Sequence, residues 1–144
     1  MNRDKIKNFL PHREPMLLLD SVEREIVTDA KGNVVEYATG TYHVRGDEFF
    51  LQGHFPDYPV VPGVILCEMM AQSCAMLLGD ELTTKRPLYT GIDSVRFKYQ
   101  VRPGDTIVLR STITERRQSL VFVKAEAKVG DKLCCRGNLS FALV

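Results

Sequence analysis

Over its C-terminal half the chain alternates apolar and polar residues with a period of two. Val95, Phe97, Tyr99 and Val101 alternate with Arg96, Lys98, Gln100 and Arg102, and Pro103-Gly104-Asp105 follows as a turn. Ile107, Leu109, Ser111 and Ile113 make one face of the next segment, and Val121, Val123, Ala125, Ala127 and Val129 one face of another. Leu133, Cys135, Leu139, Phe141 and Leu143 do the same for the last. This rhythm predicts half-buried strands joined by short turns in an antiparallel meander. Nearer the N-terminus, residues 16–28 and 34–44 read as two more strands, joined by a turn at Lys31-Gly32-Asn33. Residues 3–10 predict a short helical turn with Ile6, Phe9 and Leu10 facing inward, stopped by Pro11.

Residues 64–78 break the rhythm. They are apolar on nearly every side of a helix, with Glu68 the only charge among them, and such a helix is expected to be buried. Pro62 suits its first turn, where a missing N–H costs nothing, and Gly79 suits its end. The loop 45–62 before it carries Gly46, Gly53, Pro56, Pro59 and Pro62, and loops of this length are commonly functional. One long helix covered by an antiparallel sheet is an α+β architecture, and residues 1–144 are expected to form a single domain.

Composition narrows the function. A length of 144 residues allows a real core, and a net charge of +1 gives no electrostatic case for nucleic acid or a membrane surface. The N-terminus is charged and lacks the apolar stretch of a signal peptide, so a cytoplasmic location is expected. The cysteines agree: Cys67 and Cys74 lie on the helix, while Cys134 and Cys135 are adjacent on a strand and should point to opposite faces. No metal-ligand or redox spacing is present, so free buried thiols are expected.

The candidate chemistry centres on Glu68. Gln72 lies one turn further on the same face, so an amide is placed to orient the carboxyl. A carboxylate in apolar surroundings is expected to have a raised pKa and to stand as a neutral acid. His54, in Gln52-Gly53-His54-Phe55-Pro56, reads either as a loop residue or as the matching base. Gly63 and Val64 open the helix, where free N–H groups and the helix dipole would stabilise a carbonyl oxygen as it gains charge. With Glu68 five residues on, the sequence suggests that both groups share one small cleft. His12 and His43 read as structural or exposed, and Tyr58 reads equally as pocket lining or packing.

Several segments carry a family resemblance: Leu10-Pro11-His12-Arg13, Gln52-Gly53-His54-Phe55-Pro56, Pro59-Val60-Val61-Pro62-Gly63-Val64, Glu68-Met69-Met70-Ala71-Gln72, and Gly91-Ile92-Asp93 with Arg96-Phe97-Lys98 and Pro103-Gly104-Asp105. In this order they resemble the (3R)-hydroxyacyl-acyl carrier protein dehydratases of bacterial type II fatty acid synthesis. Asp57-Tyr58 departs from the small or basic residues common there, which bears on substrate preference.

The resemblance implies a hot-dog fold, an antiparallel sheet wrapped around a long central helix. It implies a homodimer, assembled as a trimer of dimers, in which His54 of one chain works with Glu68 of the other. It implies a substrate carried on the phosphopantetheine of acyl carrier protein, with no cofactor and no metal. In that reading His54 is the base, Glu68 the acid, Gly63 and Val64 bind the thioester carbonyl, and Gln72 orients Glu68. Arg96, Lys98 and Arg102 form a basic stripe suited either to docking the acidic carrier or to an ordinary solvated strand face. The rivals are an isomerising dehydratase, which usually has aspartate at the Glu68 place, a thioesterase, and a non-catalytic acyl-binding regulator. The last needs a DNA-binding segment, and only about ten residues precede Pro11, in a chain whose net charge is only +1.

Overall fold

The computed structural model describes residues 1–144. Asn2 caps a short helix α1, Arg3–Ile6, by accepting a hydrogen bond from the Lys5 amide at 3.0 Å. Strands β1 (Ser21–Thr28) and β2 (Val34–His43) form a hairpin. The long loop and helix α2 (Gly63–Ser73) follow, then β3 (Pro87–Phe97), β4 (Thr106–Arg117), β5 (Leu120–Val129) and β6 (Lys132–Leu143). All pairings are antiparallel, in one six-stranded sheet of order β1-β2-β4-β5-β6-β3.

The alternating residues of β4 and β5 point to one face, as their pattern demands. Ile107, Leu109, Val121, Val123, Ala125 and Ala127 are all buried, and Leu66, Met69 and Met70 of α2 join them in the same core. Each large side chain taken out of water there contributes about 1.5–3 kcal/mol before entropy is counted. Gly40 lets α2 approach β2 closely, since a Cβ there would meet Leu19 Cδ2 at 2.9 Å and Ser73 Cβ at 3.1 Å. The expected α+β arrangement, a sheet wrapped around a central helix, is what the chain adopts.

The details differ in several places. The meander expectation holds for β4, β5 and β6 but not for β3, which pairs with β6 at the far edge. Residues 98–105 do not turn back on β3. Val101 is buried and its carbonyl accepts from the Val61 amide at 2.8 Å, and the Gly104 amide donates to the Val44 carbonyl at 2.8 Å. These bonds tie the segment to the long loop and to the end of β2, so the chain crosses to the middle of the sheet. Alternation and turn residues look alike for a hairpin and a crossover, which is why the pattern misplaced it.

The β3 strand also begins earlier than expected, at Pro87, and its register shifts between Tyr89 and Gly91 and again between Asp93 and Arg96. Each shift resets which face the following residues take. Phe97 and Tyr99, expected inward, are 55% and 56% exposed. At the other end, β1 starts at Ser21 rather than at residue 16. The Met16 and Leu17 amides both donate to the Arg13 carbonyl, which forms a turn, and the next backbone groups pair with a side chain of α2 described below.

Helix α2 is shorter than residues 64–78. Pro62 is its N-cap rather than its first residue, and beyond Ser73 the chain tightens to a 3-10 turn over Cys74–Leu77. Gly79 ends it at φ 58°, in the left-handed region that favours glycine. Nor is α2 buried all round in one chain, since Val64 is 73% exposed. All four cysteines are free and buried, as expected. Cys134 and Cys135 are both buried although adjacent, and Cys134 is the extra residue of a bulge against Ala127 and Lys128 of β5.

Candidate active site

The carboxylate of Glu68 lies in a cavity of about 150 Å³ whose polar lining is His12, Gln72 and Tyr89 and whose apolar wall includes Leu78, Leu82 and Phe141. Gln72 is buried and bonded at both ends of its amide. Its Oε1 accepts from the Leu18 amide at 2.8 Å, and its Nε2 donates to the Met16 carbonyl at 2.7 Å and to Glu68 Oε2 at 2.9 Å. The side chain thus pairs with residues 16–18 as a neighbouring strand would, and its remaining hydrogen holds the carboxylate. The hydrogen bond expected between Gln72 and Glu68 is present.

His12 Nε2 stands 3.2 Å from the same oxygen, Glu68 Oε2. This contact spans 56 residues of sequence and has no local signal, so the expectation of a structural or exposed His12 is corrected. Tyr89 was missed as well, because the early part of β3 was not read as a strand. Its hydroxyl donates to the Cys67 carbonyl at 3.3 Å beside the carboxylate, and its ring packs on Phe141 with centroids 5.2 Å apart.

The expectation that Glu68 stands as a neutral acid is corrected. Burial pushes its carboxyl up, but the contacts with His12 and Gln72, the charge of His12 and the Tyr89 hydroxyl outweigh burial and hold it below the ordinary carboxylate value. The apolar sequence around position 68 showed the burial and hid the partners.

Gly63 and Val64 lie elsewhere. They line an open groove of about 440 Å³ with Val60, Phe97, Lys98 and Tyr99. Five helical residues turn through about 500°, so Gly63 and Glu68 point about 140° apart, and the expected single cleft does not form within one chain. The Phe97 ring covers Gly63 so tightly that a Cβ there would meet its Cε1 at 2.6 Å.

His54 belongs to this second half. Its Nδ1 lies 2.8 Å from the carbonyl of Val60, a residue of the groove, and its ring stacks on Phe55 with centroids 4.3 Å apart. A carbonyl can only accept, so Nδ1 carries a proton, and in the neutral ring the lone pair is on Nε2. The loop that presents His54 is held by Glu48, a buried carboxylate accepting from the Arg45 amide at 2.9 Å, the Gly46 amide at 2.7 Å and the Tyr42 hydroxyl at 2.9 Å. Burial pushes the Glu48 carboxyl up, and these donors bring it below its usual range. Tyr58 fastens the same loop to residues 98–105 by donating to Gln100 Oε1 at 2.6 Å.

Of the basic stripe, Arg96 and Lys98 are exposed. Arg102 is not free: it is half-buried, its guanidinium 3.9 Å over the Tyr58 ring and its Nε donating to the Pro59 carbonyl at 3.3 Å. Its place in a docking stripe is therefore corrected to a brace of the His54 loop. No helix is long and apolar enough to cross a membrane.

Within one chain, then, Glu68 lies in one cavity and Gly63 in another, and His54 is bonded to Val60 of the second. The model of the FabA-like domain matches residues 10–138. The chain belongs to the FabA-like family. Within it, the chain is 48% identical to the 3-hydroxyacyl-[acyl-carrier-protein] dehydratase FabZ of Clostridium perfringens over 99% of both chains. It is 42% identical to the FabZ of Clostridioides difficile, over 100% of this chain and 98% of that one. The dehydratase heterocomplex ApeI:P of Xenorhabdus doucetiae shares the fold, with a TM-score of 0.75 over 96% of this chain and 90% of that one at 18% identity. A fluoroacetyl-CoA-specific thioesterase, FlK, also shares it, with a TM-score of 0.66 over 78% of this chain and 87% of that one, again at 18% identity. The family resemblance and the hot-dog fold read from the motifs are borne out.

Proposed function

We propose that this chain removes water from a (3R)-3-hydroxyacyl thioester on acyl carrier protein, in fatty acid biosynthesis, and leaves the trans-2-enoyl thioester. The observation that carries the mechanism is the division of the chemistry between two sides of α2. In a lone chain Glu68 and Gly63 line separate cavities, with His54 bonded to Val60 of the second, and a two-fold copy can bring each against its complement. The exposed Val64, Phe97 and Ile92 on and around the edge strand β3 suit such an interface. We take the unit to be a homodimer, assembled three dimers to a hexamer, in the cytoplasm.

In the composite site, Gly63 and Val64 at the start of α2 hold the thioester carbonyl as charge develops on it. The carbonyl acidifies the C2 proton, and His54 Nε2 removes it. Glu68 of the partner subunit serves the C3 hydroxyl. The partner and the bound acyl chain exclude the remaining water, which favours the neutral carboxyl. The proton taken up there passes to the hydroxyl as the C3–O bond breaks, and water leaves with the bonding pair. The reaction calls for neither metal nor cofactor beyond the phosphopantetheine arm. Arg96 and Lys98 face outward near the groove and would meet an acidic carrier.

The test is mass spectrometry of a short (3R)-hydroxyacyl carrier protein incubated with the enzyme, beside Glu68→Gln. Loss of one water from the acyl group, abolished in the variant, is expected. Release of free acid would favour a thioesterase, and an unchanged substrate across several chain lengths would overturn the reading.

A further inference from the structure

We infer that His12 is a positioning residue for Glu68, fixing which carboxylate oxygen faces the substrate. The inference rests on the dehydratase reading and goes beyond it by assigning a residue outside the His54–Glu68 pair. Its basis is the distribution of contacts on one carboxylate. The approach of His12 Nε2 at 3.2 Å and the Gln72 amide bond at 2.9 Å both end on Oε2, while the Tyr89 hydroxyl beside the carboxylate donates to the Cys67 carbonyl at 3.3 Å. Oε2 is held from two directions, which sets the plane of the carboxylate and so the aim of Oε1.

No other polar group of the chain is bonded to the ring of His12. Its Nδ1 is buried with no hydrogen-bond partner, so Glu68 is the one polar contact of the imidazole. An unpaired buried nitrogen is a cost that folding alone would select against. The backbone that presents the ring is in turn clamped. Arg13 reaches back to the carbonyls of Leu10 at 2.9 Å, His12 at 2.8 Å and Lys7 at 3.0 Å, and Pro11 ends the preceding turn. The segment Leu10-Pro11-His12-Arg13 is therefore a bracket that delivers one imidazole to one oxygen.

The groups facing Glu68 are His12 from this bracket, Gln72, Cys67 and Cys74 from α2 and the turn after it, and Tyr89 from β3. Among the titratable ones only His12 adds a positive charge; the others add hydroxyl or thiol groups whose own ionisation Glu68 opposes. Removing His12 should thus do two things. It frees the carboxyl to rotate, and it lets the proton affinity of Glu68 rise.

The experiment compares His12→Ala, His12→Gln and the wild type, each checked for oligomeric state and thermal midpoint. The Glu68 carboxyl carbon is followed through a pH titration by carbon-13 NMR, assigned with Glu68→Gln. In His12→Ala, kcat should fall about 10- to 100-fold with KM changed less than about threefold, as expected for a misaimed group. The Glu68 titration should move to higher pH. His12→Gln, which restores an N–H donor without the charge, should recover most of kcat while the titration stays raised. Wild-type kcat in His12→Ala overturns the inference. So does an equal loss in both variants with the Glu68 titration unmoved, which would mark His12 as mere packing. The titration needs no turnover, so failure of the dehydratase reading itself would appear separately, as a wild type that removes no water.

Discussion

The surroundings of Glu68 are the more enclosed and are bonded, whereas the groove beside the His54 loop is open and faces outward. Glu68 shares its cavity with Gln72, whose amide is satisfied by backbone at both ends, and with an imidazole whose one polar contact is the carboxylate. Gly63 lies at the floor of a groove lined by Val64, Phe97 and Tyr99, side chains that one chain leaves more than half exposed. On the proposed mechanism, the acid half is completed by its own chain and the base half waits for another surface. Pre-arranged dipoles serve the first, and shape serves the second.

The sharpest way to break this comparison is to damage each half separately and then mix them. His54→Ala and Glu68→Gln should each lower kcat by about 100- to 10,000-fold while the fold is kept. If each site takes one half from each chain, unfolding and refolding the two variants together should restore about one quarter of wild-type turnover, since half the dimers are mixed and each has one intact site. No recovery would mean that both halves act within a chain.

A smaller effect is expected at the groove. Gly63→Ala drives a methyl into the Phe97 ring, which would lie 2.6 Å from it. Turnover should fall about tenfold, because carbonyl and donors are displaced. Because the ring is exposed and can swing away, stability should change by less than about 1 kcal/mol. Adding Phe97→Ala should return part of the rate, and no return would mean that the ring is not what the methyl disturbs.

The closed half should show its cost in stability instead. Gln72→Leu strands the Leu18 amide, the Met16 carbonyl and the Glu68 carboxylate, at about 1–3 kcal/mol for each buried group left unpaired, to be read from urea unfolding. Because the folded-state value of Glu68 lies below the ordinary one, its contribution to stability is present above the ordinary carboxylate range and lost as pH falls through it. Glu48 follows the same sign. The unfolding midpoint should therefore drop on acidification, and less steeply in Glu68→Gln.

The smallest change is expected at the rim. Reversing Arg96 and Lys98 to glutamate should raise KM for a carrier-bound substrate a few-fold at low salt, with little effect on a small thioester.

How far the sequence could be read depends on how far apart the partners lie. Glu68 and Gln72 were legible because one helical turn joins them, and β4 and β5 because alternation is local. His12 was not, since its contact with Glu68 depends on the chain returning to α2 after 56 residues. The charge state of Glu68 failed for the same reason: burial is written in the neighbouring letters, and the donors that oppose it are not. The early part of β3 was hidden by its register shifts, and its edge position by a crossover whose turn residues look like those of a hairpin.

That edge strand bears on how the protein comes into being. Eleven residues of β3 leave one side without a neighbour, and Leu88, Ile92 and Phe97 stand exposed along it. A newly made chain would be sticky before it is active, and on the proposed pairing its activity would begin only on collision with a copy. Maturation would then be second order in chain concentration. At low expression the enzyme would be scarcer than its chains, and dilution would silence it without unfolding it.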